Sequence, residues 1–244
     1  MPTRRIDIKY VFYIGLTVLL PFLFTYERPE DAGDAVVREG RSPMSLSAVT
    51  ETNDYSKLVI EVDKDSDIAS VLLNNPLAKE QVNTFFYALT GDKEVTRAIL
   101  SNVVKTDVPL FLAFSLSWVE SRFDIQAYSK NHTSIDRGLF QLNSRSFPNL
   151  TKAEFYDPYI NAEYGLEYLD KCIKEEGNVI AGLAMYNAGR TRVETGGTPR
   201  KTLDYISRIL DYRKTIEANF ILYMEHTGII VKTINNTIHV ALSE

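Results

Sequence analysis

The chain has one cysteine, one tryptophan and three histidines in 244 residues, and no excess of positive charge. A lone thiol, Cys172, excludes an intramolecular disulfide framework. It falls on the inward face of a helical stripe, where a thiol serves as a small apolar residue. His132, His226 and His239 are scattered, without the spacing of metal ligands. The pair Gly196-Gly197 lacks the preceding strand and the following Lys-Ser/Thr of a phosphate-binding loop. No metal or other cofactor is therefore expected. With 27 basic against 32 acidic residues and a net charge of -5, the chain has no basic footprint for nucleic acid. Internal repeats and low-complexity tracts are lacking as well.

What is present is apolar content, 45% of the chain, enough for one sizeable core. Arg4, Arg5 and Lys9 precede an apolar run from Tyr10 to Tyr26, and acidic residues follow it. That is the charge order of an export signal whose start stays in the cytoplasm. The run is short for a membrane span, contains Pro21 and lacks a small-x-small cleavage site. Residues 1–26 thus read as either a signal peptide or an N-terminal anchor in the inner membrane. No cysteine lies nearby to carry a lipoprotein anchor. Residues 27–75 read as a partly disordered linker, rich at first in Glu, Asp, Arg, Ser and Gly, with a short strand over Tyr55–Val62 that has no obvious partner.

From Pro76 the pattern becomes helical. Ala78–Leu89 and Lys93–Val104 flank a turn at Thr90-Gly91-Asp92, and the continuous apolar run Val108–Val119 describes a helix buried nearly all round. It starts near Asp107–Pro109, with Asp as cap and Pro in the first turn. Asp157-Pro158 and Thr198-Pro199 open two more helices in the same manner. The first carries a stripe that includes Asn161, Gly165, Tyr168, Leu169 and Cys172; the second carries Tyr205, Ile206, Ile209, Tyr212 and Ile216. Between them, Asn178–Asn187 is helical and ends at Gly189. Gly165 in mid-helix costs about 1 kcal/mol relative to Ala, which anticipates close approach of another helix. Beyond Tyr223, two β-branched runs around Asn235-Asn236 read as a hairpin in a C-terminal extension, residues 224–244.

The apolar run ends in a carboxylate, Glu120. Burial raises a carboxyl pKa, so an acid placed there can remain protonated near neutrality and donate its proton. By itself a Glu at a helix end is more often a solvated structural residue. Its neighbours change the reading. Glu120-Ser121 is followed by Phe123, Ala127 and Ser129, then by Gly138-Leu139-Phe140-Gln141, by Asp157–Ile173, and by Ala184-Met185-Tyr186-Asn187-Ala188-Gly189. In this order the segments resemble the motifs of soluble lytic transglycosylases, over about Asn102–Leu210. The departure is Met185, which stands between the Ala and the Tyr-Asn of the last motif.

The resemblance implies a mainly α, lysozyme-like catalytic domain over residues 76–223, exported to the periplasm or cell envelope and acting on peptidoglycan glycan strands. It implies that Glu120 protonates the glycosidic oxygen between N-acetylmuramic acid and N-acetylglucosamine, that the substrate's acetamido group assists, and that the Glu120 carboxylate then takes the proton of the sugar's 6-hydroxyl. A 1,6-anhydro-muramoyl end results and no water is consumed. Gln141 matches a cleft-lining residue, and Tyr186 and Asn187 match the Tyr-Asn pair, with Tyr186 orienting Glu120. The hydroxyls of Ser121 and Ser129 could bond the carboxylate or the acetamido group, and Tyr205 could close the cleft. Each has a plainer alternative: capping of a loop for the serines, a buried amide holding a loop for Gln141, and core packing for Tyr205.

The segment Thr133–Arg145 is also similar to one in animal-type lysozymes and in transglycosylases of secretion machines. In the lysozymes the residue matching Asp136 is the second carboxylate. At about 5 to 5.5 Å from Glu120, Asp136 would permit hydrolysis by double displacement; as a loop Asp it would bond nearby backbone. Three readings follow: a lytic transglycosylase, a hydrolytic muramidase, and a wall-binding scaffold on an inactive fold. Burial of Glu120 argues against the last, since without catalysis nothing would maintain a buried charge. A partner within an envelope machine stays unidentified, and the terminal hairpin is a candidate place for it.

Overall fold

The computed structural model describes residues 58–234. The segment read as signal or anchor, most of the linker and the second arm of the terminal hairpin lie outside them. The elements are β1 (Leu58–Asp63), α1 (Ile68–Asn74), α2 (Lys79–Thr90), α3 (Lys93–Val103), α4 (Leu110–Ser121), β2 (Tyr128–Lys130), β3 (Ile135–Arg137), β4 (Leu142–Asn143), α5 (Lys152–Tyr156), α6 (Pro158–Glu176), α7 (Val179–Ala188), α8 (Arg190–Glu194), α9 (Arg200–His226) and β5 (Ile229–Ile234). The architecture is mainly α, as expected. Among the described residues no helix is long and apolar enough to cross a membrane.

Helix α4 runs through the centre. Every residue from Leu110 to Ser117 is buried, which is what an apolar run without a polar face dictates. Aromatic rings join it to its neighbours: Phe114 stacks on Phe86 of α2 at 4.1 Å, and Phe111 meets Phe220 of α9 edge-on at 5.2 Å. Ring pairs in these geometries add to the stabilisation that area burial provides.

The start of α4 is held from a distance. Asp107 does not cap it; its carboxylate pairs with Lys174 at 2.8 Å. Pro109 occupies the cap position and offers no side-chain acceptor. Instead Asp67, at the head of α1, accepts the Leu110 N–H at 2.6 Å and the Ser70 hydroxyl at 2.6 Å. A carboxylate there satisfies an orphan donor and meets the positive end of the helix dipole.

Residues 58–75, read from the sequence as the end of a linker, hold β1 and α1. β1 and α1 bury Ile60, Val62, Ala69 and Leu72 in the core. β1 has its partner at the far end of the chain: β5 lies parallel to it, from Leu58 opposite Ile229 to Asp63 opposite Ile234. The first arm of the expected hairpin is therefore β5. A parallel pair needs a long crossover, so nothing local in the sequence announces it.

The close approach anticipated at Gly165 is real, but the neighbour is a loop side chain. A Cβ there would sit 2.5 Å from Cβ of Phe140. The tight helix-to-helix contact occurs at Gly182 of α7, where a Cβ would lie 2.8 Å from Cα of Ile173. The polar stretch Tyr128–Arg137 contains β2 and β3, which with β4 form a small antiparallel sheet. Its register places Ser129, Asp136 and Asn143 directly opposite one another.

Replacing Asp67 by Ala is expected to lower stability by about 1–2 kcal/mol through loss of this remote cap. Urea unfolding of the two proteins measures it, and an unchanged midpoint would mean that α4 does not depend on Asp67.

Candidate active site

Glu120 lies in the last turn of α4, partly exposed, with protein packed around its carboxyl. Tyr205 of α9, itself only 4% exposed, donates its hydroxyl to Glu120 Oε1 at 2.5 Å. The Glu120 pKa is pushed up from 4.5 to about 8. Burial is the main cause; the Tyr205 hydrogen bond opposes it, the negative charge of Asp136 adds to it, and the positive charge of Arg208 opposes it. Position at the negative end of the helix acts in the same direction as burial. Desolvation wins, and near neutrality the favoured species is a carboxylic acid with one oxygen held by a tyrosine.

Asp136 is the central residue of the sheet row Ser129–Asp136–Asn143. Asn143 donates to its Oδ1 at 2.6 Å and Asn131 to its Oδ2 at 2.7 Å. Ser134 Oγ accepts from Asn143 at 2.8 Å, which fixes that amide between the two acceptors. Side-chain amides, not backbone, hold Asp136, and both carboxylate oxygens are engaged. Ser129 faces Asp136 across the β2–β3 ladder.

Three other candidates spend their hydrogen bonds on the loop Arg137–Gln141 and its neighbour Ala127. Ser121 is buried and donates to the Leu139 carbonyl at 2.8 Å. Tyr186 donates to the Phe140 carbonyl at 2.8 Å, and it is Tyr205 that bonds the acid; burial, with the nearby Glu120 second, keeps the Tyr186 phenol well above its ordinary pKa. Gln141 has φ of 47°, a left-handed conformation, and its amide donates to the Ala127 and Gly138 carbonyls at 3.0 and 2.9 Å. Its Oε1 is buried without a partner among the described residues. These bonds clasp the loop. The fourth, Asn187, accepts from Thr202 at 2.9 Å and so joins α7 to the first turn of α9.

The loop's main fastening is a residue that the sequence places on the core stripe of the Asp157–Ile173 segment. Asn161, fully buried, accepts the Phe140 N–H at 2.8 Å and donates to the carbonyls of Arg137 and Phe155 at 2.9 and 2.8 Å. Gly138 passes so close that a Cβ would lie 2.3 Å from both the Asn161 amide nitrogen and the Phe155 carbonyl. The other unanticipated residue is Arg208. Its only signal was its place three residues after Tyr205, on the same helical face. Among the described residues no group of His, Cys, Asp and Glu has an arrangement that could hold a metal ion.

Because the folded protein prefers Glu120 protonated, this group contributes stability that is complete below about 4.5 and is lost as pH rises toward about 8. Glu120→Gln, neutral throughout, is expected to gain on the parent by a few kcal/mol across that window and to hold a constant advantage above it. Urea unfolding at a series of pH values reads the difference; one that does not grow between pH 5 and 8 would refute the raised pKa.

Residues 97–208 match the model of the Transglycosylase SLT domain family, just under half of the chain. Solved structures with a similar course include the complex of the 70-kDa soluble lytic transglycosylase with bulgecin A, at 19% identity and a TM-score of 0.43, covering 64% of this chain and 31% of that one. Two others are an inactive mutant of the lytic transglycosylase Slt from Pseudomonas aeruginosa (18% identity, TM-score 0.40, 68% and 31% covered) and the 70-kDa soluble lytic transglycosylase from Escherichia coli (20%, 0.37, 66% and 30%). The chain spans under a third of the length of these proteins.

Proposed function

We propose, from the match of residues 97–208 to the Transglycosylase SLT domain family, that the chain is a peptidoglycan lytic transglycosylase with Glu120 as its acid and base. The observation that carries the reading is the Glu120 carboxyl, kept protonated to about pH 8 while Tyr205 holds one of its oxygens. Glu120 gives its proton to the oxygen linking N-acetylmuramic acid to N-acetylglucosamine, and the bond from that oxygen to the muramoyl C1 breaks. The substrate's acetamido oxygen closes on C1 and takes up the developing positive charge. The Glu120 carboxylate then removes the 6-hydroxyl proton, O6 displaces the acetamido oxygen, and a 1,6-anhydro end forms without water. Tyr205 and Arg208 stabilise the carboxylate between the two transfers, and the carboxyl ends reprotonated.

Asp136 supports a second reading, hydrolysis by a muramidase, because its charge acts on Glu120. The two amides that grip its oxygens weaken it as a nucleophile and favour an electrostatic part, stabilising positive charge at C1. The cell-envelope location and a tether in the inner membrane belong to the same proposal and rest on the N-terminal sequence pattern.

Digestion of purified peptidoglycan followed by mass spectrometry of the released fragments decides between the two reactions. Anhydro-muramoyl ends, lighter by one water than reducing ends, are expected, with Glu120→Gln losing at least about a thousandfold in rate. Reducing ends would establish the muramidase and make Asp136 its second carboxylate.

A further inference from the structure

Helix α9 touches the end of α4 at two points one turn to either side of Arg208. Tyr205 bonds Glu120, and Tyr212 stacks on Trp118 with ring centres 5.1 Å apart and planes at 12°. Arg208, three residues after the first and four before the second, lies on that same face. It is partly exposed, its Nε is buried without an acceptor, and among the described residues its guanidinium makes no hydrogen bond or ion pair. Its field reaches Glu120 and Tyr205. Glu120 is no counter-ion while it carries its proton, and Asp136 is already gripped by Asn131 and Asn143. A guanidinium has five N–H donors in a rigid fork suited to a carboxylate, and a half-buried one left without an acceptor is unfavourable until a ligand brings one.

We infer that Arg208 is the receptor for a carboxylate carried by the muramoyl side of the glycan strand, so that this site distinguishes anionic peptidoglycan from neutral β-1,4 glycans. The inference rests on Glu120 being the glycan-cleaving acid. Two sources share the chemistry: the carboxylates of the stem peptide, and the lactyl ether carboxylate that is freed when the peptide is removed. An uncharged N-acetylglucosamine oligomer has neither.

Calorimetric binding to the full chain carrying Glu120→Gln, with and without Arg208→Gln, uses three oligomers of equal length: a peptide-bearing strand, the same strand stripped by an amidase, and an N-acetylglucosamine oligomer. Loss of Arg208 is expected to weaken at least one anionic ligand by about tenfold to a hundredfold and leave the neutral one unchanged. Arg208→Lys is expected to recover part of the loss. The anionic ligand that suffers more identifies the source, and retained binding of the neutral oligomer shows that the variant is folded. Equal weakening for all three ligands, or none, would overturn the inference while leaving the proposed reaction intact. Failure of the parent with Arg208 to bind any of the three would overturn both.

Discussion

Glu120 ends a helix that has no solvated face over its first eight residues, and its carboxyl is removed from water by the packing that makes α4 the core of the fold. Moving the pKa from 4.5 to about 8 corresponds to roughly 5 kcal/mol of disfavoured charge, a large fraction of the stability of any domain. The aromatic contacts of α4 with α2 and α9 and the remote cap from Asp67 hold the helix where that penalty arises. They also explain why the strand and helix before residue 76 are part of the same body: without Asp67 the head of the central helix would lack an acceptor.

A single loop unites the separated motifs. Residues 137–141 are fastened by Ser121 from α4, Asn161 from α6 and Tyr186 from α7, with the Gln141 amide bonding within the loop and to Ala127. Each motif contributes one hydrogen-bonding side chain to the same few peptide groups. Their common task is to fix the turn from β3, which carries Asp136, to β4, and to fasten it to the helices that surround it. The cost is local strain at Gln141 and, among the described residues, an unmet acceptor on the same side chain.

Periodicity and caps made the helices legible. α4 was recognisable from its unbroken apolar run, α6 from Asp157-Pro158, and α7 from Asn178 to Gly189, because these signals are local. The acidity of Glu120 was legible for the same reason, since desolvation follows from its apolar neighbours. What could not be read were pairings between distant residues. Tyr205 on a buried stripe looks like packing until its hydroxyl is seen on Glu120, and Ser121 beside Glu120 looks like a ligand-binding group until its hydroxyl is seen on Leu139. The β1–β5 pair joins the two ends of the described chain, and β2–β4 are too short and polar to show alternation.

The proposed chemistry depends on the ionisation of one group, and a titration of that group tests it most directly. Carbon-13 NMR of glutamate side-chain carboxyls, with the Glu120 signal assigned by its absence in Glu120→Gln, follows the proton itself. The midpoint is expected at about 8. A midpoint near 4.5 would mean that the carboxyl is ionised at neutral pH and that Glu120 is not the proton donor.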